Sequence, residues 1–322
     1  MDRLLLTLTI IFVSLIAGYL FRQWVSSGSS PLDESSLRAL RLLIQKVAMF
    51  GLIPVSAMLS LWGLPSPDPR LLSLPALGLS AWVCGGLLAL FFSRRMHLDR
   101  ARTGSMYCCG TFTNIGAVGS LVAVMHFGEQ AIAMASLYRL CEEMFYFGVA
   151  LPVSRSFSSV PGPKGQGFRL HIDPVLAAIV LALGLGLFLN LSGVPRPVLF
   201  GTLSTAAMVT GTVCFLLSIG MGLRLSHMTC YLRESAVISL IKFVFVPVIV
   251  TSLAMLAGLG DVDGGLPLKV VAILSAMPVA MNALIPPSLF NLNLDLANAC
   301  WVFTTLELVV VLPIIIIILP LL

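Results

Sequence analysis

Hydrophobic residues along this chain form long runs that follow one another, with only short polar breaks between them. An α-helix needs about 20 apolar residues to cross roughly 30 Å of hydrocarbon. We count ten such runs: Leu4 to Phe21, Leu40 to Trp62, Leu71 to Phe92, Thr103 to Met125, Ala131 to Val153, Pro174 to Leu191, Val198 to Leu223, Ala236 to Leu259, Leu268 to Leu289 and Leu296 to Leu319. The pattern predicts an all-α integral membrane protein with ten transmembrane helices.

The polar breaks divide the ten spans into two halves. None is long enough for a separate soluble domain, and the longest, Ser154 to Asp173, is rich in Ser, Gly and Pro and reads as a linker. We therefore predict a first five-helix repeat at 1–153, a cytoplasmic linker at 154–173 and a second five-helix repeat at 174–322. With 58% hydrophobic and 10% charged residues, the chain has too few polar side chains for an ordinary soluble surface.

Lys and Arg are distributed unevenly between the two sides of the predicted membrane. Twelve fall in or next to the loops after spans one, three, five and seven, and four fall on the opposite side. Because basic residues resist translocation, both termini are expected outside a cell inner (plasma) membrane, with the first span retained rather than cleaved. This bias and the anionic lipid of the cytoplasmic leaflet account for the net charge of +5, so we expect no nucleic-acid partner.

An odd number of spans in each half gives the two halves opposite orientations, as in inverted repeats. The fourth span of each half contains helix-breaking residues, "TNIGAVGSL" in the first and "MPVAMNALIPPSL" in the second. Asn114-x5-Ser-Leu matches Asn282-x5-Ser-Leu at an offset of 168 positions, and Glu129 matches Asp295 after a shift of two residues. These matches predict two inverted repeats in which helices 4 and 9 are broken and cross near the midplane.

The broken spans offer a place for a ligand. We expect Gly116 and Gly119 to release the first helix, and three prolines, Pro278, Pro286 and Pro287, to release the second. Interrupted helices are tolerated in a bilayer only where they pack in protein or line a wet cavity. Each break would expose the N-terminal end of a half-helix, which attracts anionic groups. The alternative is that the glycines permit close helix packing and the prolines make ordinary kinks.

The amide side chains of Asn114 and Asn282 can either cap the half-helices or hydrogen-bond a ligand. At these residues the sequence resembles a known family. The run "MPVAMNALIPPSLFNLNLDLANACWVFTTLELVVVLP" resembles the C-terminal signature of the auxin efflux carrier family, and "GTFTNIGAVG" is similar to that family's first broken helix. The first break has no proline where plant members have one, and the central loop is short, as in bacterial members.

The resemblance implies a secondary transporter of small organic anions, such as dicarboxylates or auxin-like carboxylates. It also implies an elevator motion in which spans three to five and eight to ten form a transport domain that moves past a scaffold of spans one, two, six and seven. A homodimer is the oligomer that relatives suggest. The candidate substrate-binding residues are Asn114, Asn282, Thr113, Gly116, Pro278 and Pro286.

Ionisable side chains inside the spans are costly in hydrocarbon and usually face a cavity or a partner. Arg139, Glu142 and Glu143 share one face of the fifth span. They form either a local ion pair or an ion pair with a spare acid that carries a coupling proton. Glu307 in the tenth span is a second candidate, with Lys242 of the eighth span as its potential partner.

Other function classes find less support in the sequence. We expect no enzyme, because no motif of a membrane-embedded catalyst occurs. The seven cysteines show no metal-ligand spacing, so neither a cofactor nor a metal is expected. The remaining alternative is a sodium-coupled symporter of the bile-acid type on a similar fold, with Thr111, Thr113, Asn114 and Asn282 as the obvious oxygen ligands.

Overall fold

The computed structural model of the chain describes residues 2–27, 33–64, 68–158, 174–222 and 228–321. Most of the predicted linker, residues 159–173, lies outside these ranges, and Ser154 to Ser156 end a helix. The α-helices are α1 Asp2–Ser26, α2 Glu34–Val47, α3 Ile53–Trp62, α4 Leu74–Arg95, α5 Arg100–Thr111, α6 Ser120–Phe127, α7 Gln130–Tyr138, α8 Glu142–Phe145, α9 Leu151–Ser156, α10 Pro174–Leu191, α11 Leu199–Gly222, α12 Leu232–Leu240, α13 Val246–Leu256, α14 Leu266–Ser275, α15 Ile285–Leu289 and α16 Leu294–Ile318.

Six stretches within the described ranges are long and apolar enough to cross a membrane: Asp2–Ser26, Glu34–Trp62, Pro69–Arg95, Leu199–Gly222, Leu232–Leu256 and Leu294–Leu321. The prediction of an all-α membrane protein is confirmed. Helices also occupy the other four predicted spans, but three of these are interrupted, at Phe112–Asn114, Arg139–Cys141 and Ala276–Ala280, and α10 is shorter. The count of ten spans therefore stays a prediction.

Prolines explain most of the wide helical turns inside the long spans. The π-helical segments Ala48–Leu52, Tyr146–Ala150 and Ile241–Phe245 are each followed, two residues later, by Pro54, Pro152 and Pro247 respectively. A prolyl ring has no N–H to donate and clashes with the carbonyl four residues earlier. The preceding turn therefore widens while the helix continues. Ile241–Phe245 matters most, because it carries Lys242.

Polar side chains fix where several helices begin. Asp33 caps α2 by accepting from the Ser36 backbone N–H at 3.0 Å, and Asp99 caps α5 by accepting from that of Arg102 at 2.8 Å. Hydrogen bonds from Ser35 and Ser36 hold the pKa of the exposed Asp33 carboxyl well below its usual range. These caps satisfy backbone donors that have no partner within the helix.

The described chain divides into two compact units. Unit 1 comprises Met1–Pro67, Gly116–Ser136 and Ala177–Arg224, and therefore includes α1 to α3 and α11. Unit 2 comprises Asp68–Ile115, Leu137–Leu176 and Leu225–Leu322, and includes α4, α5 and α12 to α16. The fourth span changes unit directly after its interruption, and the three interrupted segments, Phe112–Asn114, Arg139–Cys141 and Ala276–Ala280, belong to unit 2.

Glycines allow close helix packing inside each unit. In unit 1, a Cβ at Gly18 of α1 would lie 2.1 Å from the Leu217 carbonyl oxygen of α11. In unit 2, a Cβ at Gly85 of α4 would lie 2.1 Å from the Gly110 carbonyl oxygen of α5. Larger residues would force these helices apart, so the contacts rely on small side chains, as is common between membrane helices.

Candidate functional site

The first interrupted helix stops at Thr111, just before an extended segment. Phe112 has φ −84° and ψ 125°, and a π-helical turn starts at Ile115 and leads into α6. Gly116 and Gly119 lie inside that turn, so the prediction that these glycines release the helix is wrong. The interruption precedes them, because Phe112 to Asn114 pair their backbone with the other interrupted helix. We call Phe112–Asn114 the first break.

The second interrupted helix stops at Ser275, and a 3₁₀ turn, Met281–Leu284, precedes α15. We call Ala276–Ala280 the second break. Pro278 lies in this break, as predicted. Pro286 and Pro287 instead lie in the first turn of α15, where backbone N–H groups have no partner within the helix anyway. The prediction that these two prolines release the helix is therefore wrong.

The two breaks hydrogen-bond to each other within unit 2. Thr113 and Val279 form an isolated antiparallel bridge. The Asn114 backbone N–H donates to the Pro278 carbonyl at 2.8 Å, and that of Ala280 donates to the Phe112 carbonyl at 3.1 Å. Backbone groups of each break that have no partner within a helix thus bond to the other break. Such pairing meets the main requirement for irregular backbone at membrane depth.

Lys242 anchors the first break from α12–α13. Its side chain is 0% exposed, and its ammonium donates to the Gly110 carbonyl at 2.7 Å and to Thr113 Oγ1 at 2.8 Å. An ammonium has three N–H donors. Among the described residues it meets these two neutral acceptors and no carboxylate within 4.0 Å. A buried lysine amine therefore lies directly beside the paired backbone.

Thr304 anchors the second break from α16. Its buried Oγ1 accepts from the Val279 backbone N–H at 3.2 Å, and Thr304 itself donates to the Cys300 carbonyl at 2.8 Å. Val279 is the residue that bridges Thr113, so α16 and α12–α13 support the same backbone pair from two elements. The "TTL" of the family-like run is thus a structural part of this site.

The predicted substrate-binding residues lie in and around the breaks. Thr113 is 2% exposed, Asn114 is 6% exposed and Pro278 is buried in the breaks themselves. Asn282 is half-buried in the 3₁₀ turn. Gly116 follows the first break as a half-buried residue of unit 1, and Pro286 is buried in α15.

The two asparagines do not occupy equivalent positions around the bridge. Thr113 and Val279 are 166 positions apart, the same separation as the predicted pair Glu129 and Asp295. Asn114 and Asn282 are 168 apart. Asn114 consequently follows its bridge residue by one position and Asn282 by three, so only Asn114 is part of the paired backbone. The sequence match predicts equivalent positions for the two asparagines, but their positions relative to the bridge differ by two residues.

The intramembrane charges divide into separate groups. Arg139 Nε donates to Glu142 Oε2 at 3.0 Å, and both residues are largely buried at the interruption of the fifth span. Glu143 is half-buried nearby. Glu307 accepts from Ser239 Oγ of α12, and among the described residues no ion pair joins it to Lys242. The suggested Lys242–Glu307 pair is thus not formed, because Lys242 faces α5 instead.

Sequence reasoning missed an ion pair in unit 1. The Arg196 guanidinium donates to both carboxylate oxygens of Glu129, and also to the Leu59 carbonyl at 2.9 Å. Ser60 Oγ donates to the Glu129 carbonyl at 2.7 Å. The pair ties the segment before α7 to the segment before α11. The two residues are 67 positions apart in loops, and no spacing rule connects them.

Comparison with known proteins gives two matches. Residues 167–316 match the family model described as membrane transport protein. The chain is also 25% identical over 248 residues to a protein of Methanothermobacter thermautotrophicus described as an uncharacterized transporter, covering 76% of this chain and 77% of that relative. The family match includes the second break, Lys242 and Thr304, and so covers the elements that hold the paired backbone.

Proposed function

We propose that the chain is a member of the auxin efflux carrier family of membrane transporters and a secondary carrier that binds a small organic anion at the two paired breaks. The substrate class comprises small carboxylates, either dicarboxylates or auxin-like acids. Transport proceeds by alternating access, without chemical change of the substrate.

The observation that carries this proposal is the position of Lys242. A charged group at membrane depth is costly, and such groups usually mark substrate or ion pathways. Lys242 is fully buried, touches Thr113 of the first break and Gly110 of α5 just before it, and has no carboxylate partner among the described residues. A substrate carboxylate would supply the missing negative charge and accept a hydrogen bond from the third N–H of the Lys242 ammonium.

The neighbouring polar groups fit the same role. Asn282 is half-buried beyond the second break and has an amide that can donate to a carboxylate. Asn114 and Thr113 shape the first break, and Pro278 keeps the second break out of a helix. Gly116 follows the first break along the chain, and Pro286 lies in the first turn of α15 after the second break.

The proposed architecture is that of ten spans in two inverted repeats with crossing helices 4 and 9. Transport is of the elevator type, with spans three to five and eight to ten as the moving part and spans one, two, six and seven as the scaffold. Unit 2 contains the third, eighth, ninth and tenth spans together with both breaks, and unit 1 contains the first, second and seventh and most of the sixth, which supports this division. The fourth and fifth spans are shared, because Gly116–Ser136 belongs to unit 1. We place both termini outside an inner membrane and expect a homodimer.

Transport by the purified protein tests the proposal. Proteoliposomes are loaded with buffer, and uptake of radiolabelled malate, malonate and indole acetate is measured with and without an inward proton gradient, in the absence of sodium. Uptake of at least one anion above that of protein-free liposomes is expected, and stimulation by the gradient would make Glu142, Glu143 and Glu307 the next residues to replace. No uptake of any anion, with or without sodium, would contradict the proposed substrate class.

The same uptake assay with added sodium distinguishes the proposed carrier from a sodium-coupled symporter. If one of these anions enters only when sodium is added, the chain is a sodium-coupled symporter. Thr111, Thr113, Asn114 and Asn282 would then be replaced in turn to find the oxygen ligands, and proton coupling would be withdrawn.

A further inference from the structure

Three arginines converge on one cavity of unit 1, away from the paired breaks. The cavity has a volume of about 490 Å³ and lies where α1 and α11 end and α2 begins. Arg22 of α1 and Arg38 and Arg41 of α2 line it, together with Glu34 and Ser35. Its size falls within the range of about 300–1,000 Å³ that is usual for small-molecule pockets.

The described residues that line this cavity carry more positive than negative charge. Glu34 is the single carboxylate among its described lining residues, against three guanidinium groups. Within the described chain, neither Arg38 nor Arg41 forms an ion pair with a carboxylate within 4.0 Å. Like charges that share one cavity repel each other unless a counter-anion joins them. The arrangement therefore favours a bound anion.

Arg41 provides a second, independent observation. Its Nε is buried and has no hydrogen-bond partner among the described residues. Its guanidinium packs against Gly222 at the end of α11, where a Cβ would lie 2.6 Å from Cζ. A buried donor without a partner is costly, so it indicates a group that is bound in the working protein.

We propose that this cavity binds a phosphate-bearing anion. Planar guanidinium groups donate two parallel hydrogen bonds and match phosphate oxygens better than a point charge does. The cavity is on the side where Lys and Arg predominate, which the sequence predicts to be cytoplasmic and thus next to anionic lipid. A phospholipid headgroup and soluble phosphate present the same chemistry to the three arginines, and the experiment separates them.

The test uses the full-length protein purified in detergent, with fluorescent short-chain phosphatidylglycerol as the probe. The double variant Arg38→Gln/Arg41→Gln removes two cavity charges. The matched control Arg94→Gln/Arg95→Gln removes two exposed charges at the end of α4. We expect the cavity variant to bind the probe about 30-fold more weakly than wild type, and the control to bind it as wild type does.

Competition with inorganic phosphate identifies the source of the anion. Displacement of the probe by millimolar phosphate assigns the cavity to soluble phosphate, whereas displacement only by unlabelled phosphatidylglycerol assigns it to a lipid headgroup. Equal binding by the two double variants, or no saturable binding to wild type, would overturn the proposal. Arg38→Gln alone changes an exposed side chain and should weaken binding about fivefold without affecting folding.

Discussion

The first and second breaks meet in one antiparallel bridge, but different residues make them. The first break has no proline and is held by the charged Lys242, which donates to Gly110 and Thr113. The second break contains Pro278 and is held by the neutral Thr304, which accepts from Val279. The difference indicates a division of labour: the first break brings a positive charge to the site, and the second keeps the backbone irregular.

Removal of the charge should have the largest effect. We expect Lys242→Met to lower carboxylate uptake by about 100-fold, because the substrate loses a buried cation and a charge-assisted hydrogen bond. The measurement is initial uptake into proteoliposomes at matched protein content. Lys46→Met is the control. Lys46 is exposed in α2, so this variant should transport as wild type does. Normal uptake by Lys242→Met would mean that Lys242 does not bind the substrate, and it would contradict the different roles proposed for the two breaks.

The asparagines sharpen the comparison further. Asn282 is half-buried beyond the bridge, whereas Asn114 is buried within it. We expect Asn282→Ala to lower uptake by about 30-fold while the protein stays folded, since one hydrogen bond to a charged ligand is lost. Asn114→Ala should lower uptake less. Uptake curves of both variants are measured beside wild type to compare the two losses. A larger loss in Asn114→Ala would indicate that Asn114, rather than Asn282, is the main contact of the substrate.

Close packing behind the first break predicts a stability effect. A Cβ at Gly110 would lie 2.5 Å from the Ala89 Cβ and from the Gly85 carbonyl oxygen. Gly110→Ala should therefore cost about 2 kcal/mol of stability through overpacking. Thermal unfolding followed by circular dichroism would show a lower midpoint. Gly184→Ala is the control, because nothing lies within 4 Å of its added Cβ, and that variant should unfold at the wild-type temperature or higher.

The smallest effect is expected at the support of the second break. Thr304→Val leaves the Val279 N–H without its acceptor and should cost about 1 kcal/mol locally. Hydrogen exchange of the peptide that contains Val279 should become faster. Thr305→Val is the control, because among the described residues Thr305 donates to the Trp301 carbonyl of its own helix and not to the second break. Equal exchange in the two variants would mean that Thr304 does not hold the second break.

The hydrophobic pattern predicted much of this fold, because run length alone distinguishes membrane helices. It also located two of the three interrupted spans, the fourth and the ninth, but not the interruption at Arg139–Cys141. It misplaced the interruptions themselves, since Gly116, Gly119, Pro286 and Pro287 are compatible with helical turns in the positions they occupy. Helix propensity describes what a residue tolerates, whereas the backbone pairing between Thr113 and Val279 decides where each helix stops.

The hydrogen-bond partners of Lys242 could not be predicted from the sequence. Sequence spacing identifies close neighbours, such as Arg139 and Glu142, and this pair does form, although Arg139 lies in the interruption of the fifth span. Lys242 and Gly110 are 132 positions apart and meet only because α5 and the π-helical turn before Pro247 pack together. The helix of Lys242 does contact Glu307, but through Ser239, which lies one turn earlier.

Equilibrium binding tests the central claim most directly, since it separates the site from the transport cycle. Once uptake has identified the carboxylate that is carried, that radiolabelled anion is titrated onto detergent-purified wild type, Lys242→Met, Lys242→Arg and Lys46→Met. We predict saturable binding to wild type and Lys46→Met, weaker binding to Lys242→Arg, which keeps the charge, and binding about 100-fold weaker than wild type to Lys242→Met. Wild-type affinity in a folded Lys242→Met protein would contradict the account, because the anion would then bind without the buried charge.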